Sequence, residues 1–141
     1  MVRLARGIRL IDDSYNSSPK ALAAALRGLA ALPAGRRVAI LGDMLELGDG
    51  EREYHLAAGR QVVESGWDVL VAVGTLGALI AEGARTAGMD ARRISVFQTA
   101  GAAAPGSAAL VLERDLVLVK GSRGIHMEQI ADRLTAEFKE T

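Results

Sequence analysis

Three polar segments of the chain carry side chains that could bind an anion or a nucleotide. We name them the first loop (residues 12–19, DDSYNSSP), the second loop (residues 41–48, LGDMLELG) and the third loop (residues 120–124, KGSRG). The third loop combines two cations, a hydroxyl group and two glycines, which is typical of an anion-binding loop. The first loop places acidic and amide side chains just before a predicted helix N-terminus, where free backbone N–H groups favour anions and nucleotides.

The first and second loops also have a purely structural interpretation. Asp, Asn and Ser before a Pro often end a strand and start a helix, which would make the first loop a turn with a helix cap. The second loop would be a surface turn in which Leu45 and Leu47 pack inward while Asp43 and Glu46 stay solvated. On the residues alone, those two acids are weak candidates for general acid–base catalysis. A lone His is more often structural than catalytic, and His55 is interpreted in the same way.

Several common catalytic and cofactor motifs are absent from the sequence. No glycine-rich run ends in Gly-Lys-Ser/Thr, and no predicted strand is followed by G-x-G-x-x-G. There is no serine nucleophile elbow and no His, Asp or Glu cluster with the spacing of metal ligands. The chain has no cysteine, which excludes disulfides, thiolate metal sites and a cysteine nucleophile. We therefore predict no catalytic residue and no metal site in this chain alone.

The composition is that of an ordinary soluble domain. The 141 residues contain 17 basic and 17 acidic side chains, so the net charge of zero argues against a nucleic-acid partner. Charges interrupt the first residues, which argues against a signal peptide, and the apolar runs are too short to cross a membrane. These features predict one soluble, cytoplasmic domain over residues 1–141, without a membrane partner.

Short apolar runs alternate with segments of helical period, which is the pattern of an α/β fold. Most of these runs lack alternation of apolar and polar residues, as expected for strands that are covered on both faces. A tight hairpin at Arg6 and Gly7 would make the first strand antiparallel and place it at an edge. The predicted fold is a three-layer α/β/α, Rossmann-like domain with a mostly parallel, six-stranded sheet of Val2–Ala5, Ile8–Asp12, Arg37–Leu41, Val69–Val73, Arg93–Phe97 and Leu116–Lys120.

Helical segments fill the gaps between these strands. Ser18 can cap the first helix, with Pro19 at its first position. Further helices are predicted at about residues 51–65, 76–87 and 126–138, whereas Pro105 and Gly106 should break or restart the helix between residues 100 and 113. The helical spacing predicts four buried faces: Leu22, Leu26 and Leu29; Leu56, Gly59 and Val63; Leu76, Ile80, Gly83 and Ala87; and Met127, Ile130, Leu134 and Phe138.

The order and spacing of the three loops resemble the third domain of the Mur ligases. Parallel sheets bind ligands at the carboxyl ends of their strands, and each loop directly follows a predicted strand. The resemblance is to the branch that adds D-alanyl-D-alanine (MurF), and it extends from about Ile8 to Phe138. The chain has Ser17-Ser18 where Ala-Asn is usual, which preserves the helix cap. The matching signatures are Asp13-Ser14-Tyr15-Asn16 with Pro19, the second loop with His55, and Val119-Lys120-Gly121-Ser122-Arg123 with Met127-Glu128.

The resemblance implies an ATP- and Mg²⁺-dependent ligase that joins D-alanyl-D-alanine to a UDP-N-acetylmuramoyl tripeptide in peptidoglycan synthesis. The UDP-sugar domain and the P-loop ATPase domain of such a ligase would lie outside this chain and be its partners. The reaction passes through an acyl phosphate, which a closing domain would protect from water. Carried over by position, Asp13 and Asn16 are expected to bind the nucleotide, and the residues expected to face the dipeptide are Asp43, Glu46, Lys120, Ser122 and Arg123.

The sequence is compatible with two other functions. The domain could belong to a Mur-type ligase that adds diaminopimelate, lysine or glutamate, although the Tyr-Asn pair and the third loop favour D-alanyl-D-alanine. The alternative from another class is a receiver-like signalling module. The paired acids, later aspartate, threonine and lysine of its active site have counterparts in Asp12, Asp13, Asp43, Thr75 and Lys120. Only one predicted helix separates the paired acids from Asp43, and Gly rather than Pro follows Lys120, so the imitation is incomplete. Acetyl phosphate with magnesium would phosphorylate a receiver and leave a ligase domain unmodified.

Overall fold

A six-stranded sheet lies between two layers of helices in the computed structural model, which describes residues 1–140. The strands are β1 (Val2–Arg3), β2 (Arg9–Asp13), β3 (Arg36–Gly42), β4 (Val69–Val73), β5 (Ile94–Phe97) and β6 (Asp115–Lys120). The helices are α1 (Pro19–Ala30), α2 (Glu51–Glu64), α3 (Gly77–Thr86), α4 (Ala100–Leu110) and α5 (Glu128–Glu137). The predicted α/β fold and its six strands are confirmed, with small shifts at the strand ends.

The strand order is β1-β2-β6-β3-β4-β5, in which β1 is antiparallel to β2 and all other neighbours are parallel. Helices α1, α2 and α3 pack on one face of the sheet, and α4 and α5 pack on the other. Strand β6 lies between β2 and β3, yet the helix that follows it is on the opposite face from the helices that follow its neighbours. Open α/β sheets bind ligands at such a switch point, and the third loop lies there.

A tight hairpin joins β1 to β2, as predicted. Its two central residues, Arg6 and Gly7, have φ angles of 61° and 71°. Positive φ at both central positions is what a type I′ turn requires, and that turn matches the twist of antiparallel strands. The backbone N–H of Leu4 donates to the carbonyl of Ile8 at 2.8 Å across the turn. The first strand is therefore antiparallel and at the edge of the sheet.

The central strands are apolar on both faces because each face is covered by helices. In β3, Val38 and Ile40 belong to the core on the side of α4 and α5, whereas Ala39 and Leu41 belong to the core on the side of α1 to α3. All four residues are fully or almost fully buried. This two-sided burial explains why the strand does not show the period of two that marks a half-exposed strand.

The predicted start of α1 and the buried face of α5 are both confirmed. The Ser18 hydroxyl accepts a hydrogen bond from the Ala21 N–H at 3.2 Å, and Pro19 is the first helical residue. Pro lacks the N–H that would be unpaired at this position, so it fits without cost. At the end of the chain, the four residues predicted to face inward are all buried: Met127, Ile130, Leu134 and Phe138.

The prediction that Pro105 breaks the fourth helix is wrong, because α4 continues without interruption through it. A proline in a helix removes only one backbone hydrogen bond, here the one to the Gly101 carbonyl. The ring of Pro105 lies on the exposed side of the helix. The Thr99 hydroxyl caps the N-terminus by accepting from the Ala102 N–H at 3.1 Å. Burial of the opposite face against the sheet offsets the lost bond and involves Ala100, Ala103, Ala104, Ser107 and Ala108.

The predicted buried face of α2 is confirmed at Gly59 but is otherwise rotated by part of a turn. Leu56 and Val63 are only half-buried. The residues that face the core are His55, Ala58, Gly59 and Val62. The rotation turns small residues toward α3 and brings the imidazole of His55 under the second loop. In α3, Ile80 and Gly83 are buried as predicted, whereas Ala87 lies beyond the helix end and is exposed.

Candidate functional site

The three loops converge at the carboxyl edge of the sheet because β2, β6 and β3 are neighbours. Ser122 links all three loops by hydrogen bonds. Its backbone N–H donates to the Asp43 carbonyl at 3.0 Å, and its hydroxyl accepts from the Leu45 N–H at 2.8 Å. The same hydroxyl donates to the Ser17 carbonyl at 3.5 Å. Ser122 is buried, so the structure assigns it a linking position beneath the site.

Asp13 and Lys120 are register partners on the neighbouring strands β2 and β6. The Lys120 ammonium forms an ion pair with the Asp13 carboxylate and donates to the Asn16 carbonyl at 2.8 Å. The side chain of Lys120 is 2% exposed, whereas that of Asp13 is 44% exposed. Lys120 therefore lies below the open surface of the site, while one edge of the Asp13 carboxylate is accessible from outside.

The second loop is anchored to α2 by His55. Its ring is fully buried, with Nε2 accepting from the Met44 N–H at 2.9 Å and Nδ1 lying 2.6 Å from the Glu51 carbonyl. A neutral ring with its proton on Nδ1 satisfies both contacts. The interpretation of His55 as structural is confirmed. Met44 is buried, and Leu47 packs against the same core as the structural interpretation expected, whereas Leu45, which that interpretation also placed inside, is 38% exposed.

We expect His55→Ala to lower the free energy of unfolding by about 3 kcal/mol, because the buried Met44 N–H loses its acceptor and a cavity opens. Chemical denaturation of the chain measures this change. The matched control is His126→Asn, since His126 is exposed and has a φ of 64°, a conformation that Asn tolerates. The control should stay within about 0.5 kcal/mol of the unchanged chain. Similar losses at both positions would contradict the anchoring role of His55.

Asp43 lies at the boundary between the second loop and a separate cleft. Its Oδ1 accepts from the Gly77 N–H at 2.7 Å, at the start of α3. Gly74 has a φ of 97°, and a Cβ at that position would lie 2.4 Å from the same oxygen. A glycine is therefore needed for the carboxylate to occupy this place. The negative charge is also favoured there by the N-terminus of α3.

We name the space beside this carboxylate the Asp43 cleft. Its volume is about 440 Å³, and its walls come from the loops after β3, β4, β5 and β6. From the loops after β4 and β5, sequence reasoning singled out only Thr75, and only for the receiver-like alternative, although those loops also follow the carboxyl ends of strands. The polar residues that line it are Asp43, Thr75, Gln98, Thr99, His126 and Gln129.

The start of α5 places a carboxylate against an imidazole beside the Asp43 cleft. The Glu128 carboxylate lies 3.2 Å from Nδ1 of His126. A hydrogen bond from its own backbone N–H, and then the nearby His126, hold the pKa of Glu128 below its ordinary value. The carboxylate thus carries its charge at the helix N-terminus, where a negative charge is favourable.

A second cleft, which we name the Arg123 cleft, lies on the other side of Gly124. Its volume is about 460 Å³. Arg123 is exposed, and no hydrogen bond or ion pair holds its guanidinium within residues 1–140. The other residues that line the cleft are Tyr15, Asn16, Ser17, Leu45, Glu46, Ser122 and Gly124.

The predicted site residues therefore divide into three groups. Asn16, Glu46, Ser122 and Arg123 line one cleft together. Asp43 lines the neighbouring cleft. Asp13 and Lys120 form the ion pair at the base of the first loop. The convergence of the loops agrees with their positions at strand ends, and the individual ligand contacts stay predictions.

Two further observations concern metal ions and membranes. Across residues 1–140, no group of three or more His, Asp or Glu side chains is arranged to hold a metal ion. Within the same range, no helix has both the length and the apolar character needed to cross a membrane.

Comparison with known proteins gives the same family from sequence and from structure. The family described as Mur ligase, glutamate ligase domain matches residues 1–123. The UDP-N-acetylmuramoyl-tripeptide–D-alanyl-D-alanine ligase of Bacillus subtilis (strain 168) is 33% identical over 135 residues, which cover 95% of this chain and 29% of that protein. The chain thus spans less than a third of the length of this relative.

Two solved structures share the fold over nearly the whole chain. MurF from Acinetobacter baumannii superposes with a TM-score of 0.82 at 32% identity, over 96% of this chain and 29% of that one. The MurF ligase from Thermotoga maritima in complex with ADP superposes with a TM-score of 0.77 at 25% identity, over 96% of this chain and 30% of that one. These matches indicate a ligase domain and not the receiver-like signalling module. Because the family match covers most of its length and its fold agrees with solved members, the chain belongs to the Mur ligase family, as a domain of the C-terminal type.

Proposed function

We propose that this chain is the third domain of a cytoplasmic ligase that adds D-alanyl-D-alanine to a UDP-N-acetylmuramoyl tripeptide in peptidoglycan synthesis. The activity named for the Bacillus subtilis relative supports this substrate class. Because the chain spans 29% of that relative, we propose a UDP-sugar domain and a P-loop ATPase domain as the other parts of the ligase and as its partners. The observation that carries the proposal is the convergence of the three loops around the Arg123 cleft.

The first loop is proposed to form one wall of the nucleotide site. Asn16 lines the Arg123 cleft, and the Asp13 carboxylate is 44% exposed beside it. A carboxylate edge that remains open can accept hydrogen bonds from the two ribose hydroxyls of ATP. The ADP complex of the Thermotoga maritima ligase supports a nucleotide as the ligand. The triphosphate itself would be bound by the P-loop of the ATPase domain.

The Arg123 cleft is proposed to receive the incoming dipeptide. The amine of the dipeptide must stay free to attack, so its carboxylate is the group available for holding it. The guanidinium of Arg123, which has no partner among residues 1–140, offers two parallel N–H donors that match a carboxylate. Glu46 lines the same cleft and is proposed to face the dipeptide from the second loop. Ser122 also lines this cleft, whereas Asp43 is proposed to face the dipeptide from the neighbouring cleft.

Magnesium is proposed to bind outside this chain. Mg²⁺ is held by oxygen ligands, usually one or two carboxylates together with substrate phosphates and water. The described residues contain no cluster of acidic side chains suited to a metal. The role proposed for this chain is to orient the dipeptide amine and to shield the reacting acyl group from water.

We expect the isolated chain to show no ligase or ATPase activity and only very weak affinity for ATP. The physical reason is that it supplies one wall of the nucleotide site and no loop that encloses a triphosphate. Calorimetry with magnesium-ATP and a steady-state phosphate-release assay measure both properties. Turnover, or binding in the micromolar range, would contradict a site divided between domains.

The substrate class is tested in the complete ligase by amino-donor specificity. With ATP and the tripeptide acceptor present, D-alanyl-D-alanine should support product formation. Diaminopimelate, lysine and glutamate, offered with the acceptors that their own ligases use, should not. Product identified by mass spectrometry with one of those amino acids, and not with the dipeptide, would assign the chain to another branch of the family.

A further inference from the structure

The burial of Lys120 points to a role different from substrate contact. Its position in the third loop predicts contact with the dipeptide, but its side chain is 2% exposed and its ammonium is already engaged. We propose that Lys120 is a positioning residue that holds the first loop in its nucleotide-binding shape and does not touch the dipeptide. The functional part of this inference rests on the proposed function of the domain.

The geometry of the first loop supports this role. Lys120 and Asp13 are register partners, so the ammonium reaches the carboxylate across two neighbouring strands. The same ammonium donates to the Asn16 carbonyl at 2.8 Å. One cation therefore joins both ends of the turn from residue 13 to residue 16. Because the backbone of Asn16 carries this bond, its side-chain amide is left available to the Arg123 cleft.

The rest of the turn has few other attachments. Tyr15, at the centre of the turn, is 62% exposed. The hydroxyl of Ser14 is buried and has no hydrogen-bond partner in the described part of the chain, while the Ser14 N–H donates to the Asp12 carboxylate at 3.2 Å. An ammonium has three donors and forms strong hydrogen bonds to charged acceptors, so it is suited to this bridging position. Loss of the ammonium should release the turn while leaving the sheet packed.

The stability of the variants should be asymmetric. Lys120→Met leaves Asp13 half-exposed, where water can solvate its carboxylate, and keeps an apolar stem of similar length. Asp13→Ala instead leaves a buried ammonium without its carboxylate. The thermal midpoint of Lys120→Met should therefore stay close to that of the unchanged chain, and that of Asp13→Ala should fall clearly below it. The opposite order would overturn this account of the pair.

The direct test of positioning is hydrogen exchange of the chain itself. In Lys120→Met, the amide of Ser14, which is buried and donates to the Asp12 carboxylate, should exchange at least tenfold faster, while amides in β3 and β4 remain protected. Lys139→Met is the matched control, because Lys139 is exposed and lies beyond the end of α5. Unchanged exchange of the Ser14 amide would overturn the inference, independently of what the complete ligase catalyses.

In the complete ligase, Lys120→Met should raise the Michaelis constant for ATP about tenfold and change that for the dipeptide less than twofold. Adding Lys120→Met to Asp13→Ala should raise the ATP constant little further, because Lys120 acts on the nucleotide mainly through the Asp13 carboxylate that it positions. A rise in the dipeptide constant alone would overturn the inference and restore Lys120 as a substrate ligand. Failure of the unchanged ligase to use the dipeptide would instead contradict the proposed function and leave the exchange result to decide the role of Lys120.

Discussion

Gly59→Ala is expected to lower the free energy of unfolding of this chain by about 3 kcal/mol, whereas Gly28→Ala should raise it by roughly 0.5–1 kcal/mol. A Cβ on Gly59 would lie 2.1 Å from the Ile80 carbonyl oxygen and 2.5 Å from the Ala84 nitrogen. Both are backbone atoms of α3, so no side-chain rotation relieves the contact. A Cβ on Gly28 in α1 meets nothing within 4 Å. That variant is more stable because alanine lowers the conformational entropy of the unfolded chain.

Denaturant unfolding of the two variants checks this difference, and the glycine of α3 provides a second test. A Cβ on Gly83 would lie 2.1 Å from the Leu56 carbonyl oxygen, so Gly83→Ala should resemble Gly59→Ala. A loss below about 1 kcal/mol at both positions would show that the helices can separate easily. The effect matters for the site because α2 carries His55 and α3 begins at the Gly77 N–H that binds Asp43.

The fold was predictable because its main signals are local. The strands are apolar runs bounded by turn residues. The turn between β1 and β2 has positive φ at Arg6 and Gly7, and a glycine at the second of these positions adopts that conformation readily. The cap of α1 depends on Ser18 and Pro19, which are adjacent in sequence. Each of these features requires only interactions between residues a few positions apart.

The errors arise where one element is decided by contact with another. The face of α2 is set by backbone contact between Gly59 and α3 and by the bond between His55 and Met44. Helical spacing alone does not contain these contacts. The continuity of α4 through Pro105 depends on the sheet beneath it. Local propensity is a weak guide when tertiary packing acts in the other direction.

The site shows the same division. Its three loops were identified because each follows a strand and carries polar residues. The pairing of Lys120 with Asp13 could not be predicted from the sequence. It exists because β6 lies beside β2, and these two strands are separated by most of the chain. The separation of Asp43 from Arg123 into neighbouring clefts also depends on strand order and on the bond from Gly77.

The two cations in the third loop therefore differ, since Lys120 is buried and Arg123 is exposed. Lys120 serves the first loop, and Arg123 alone projects into its cleft without a partner among residues 1–140. A guanidinium fork and a carboxylate form two parallel hydrogen bonds, and each hydrogen bond to a charged group contributes about 1.5–3 kcal/mol. Arg123→Ala in the complete ligase should thus lower kcat/KM for D-alanyl-D-alanine by roughly a hundredfold or more.

The effect should appear in both kinetic constants, because the bond fixes the dipeptide and also aims its amine. Arg123→Lys should recover only part of the loss, since an ammonium lacks the planar fork. The decisive comparison uses a dipeptide whose carboxylate is converted to an amide. The unchanged ligase should lose about a hundredfold on this analogue, whereas Arg123→Ala should lose far less, because its partner is already gone. Equal losses in the two enzymes would exclude the pairing and leave Arg123 as a solvated surface charge, worth at most about 1 kcal/mol to stability.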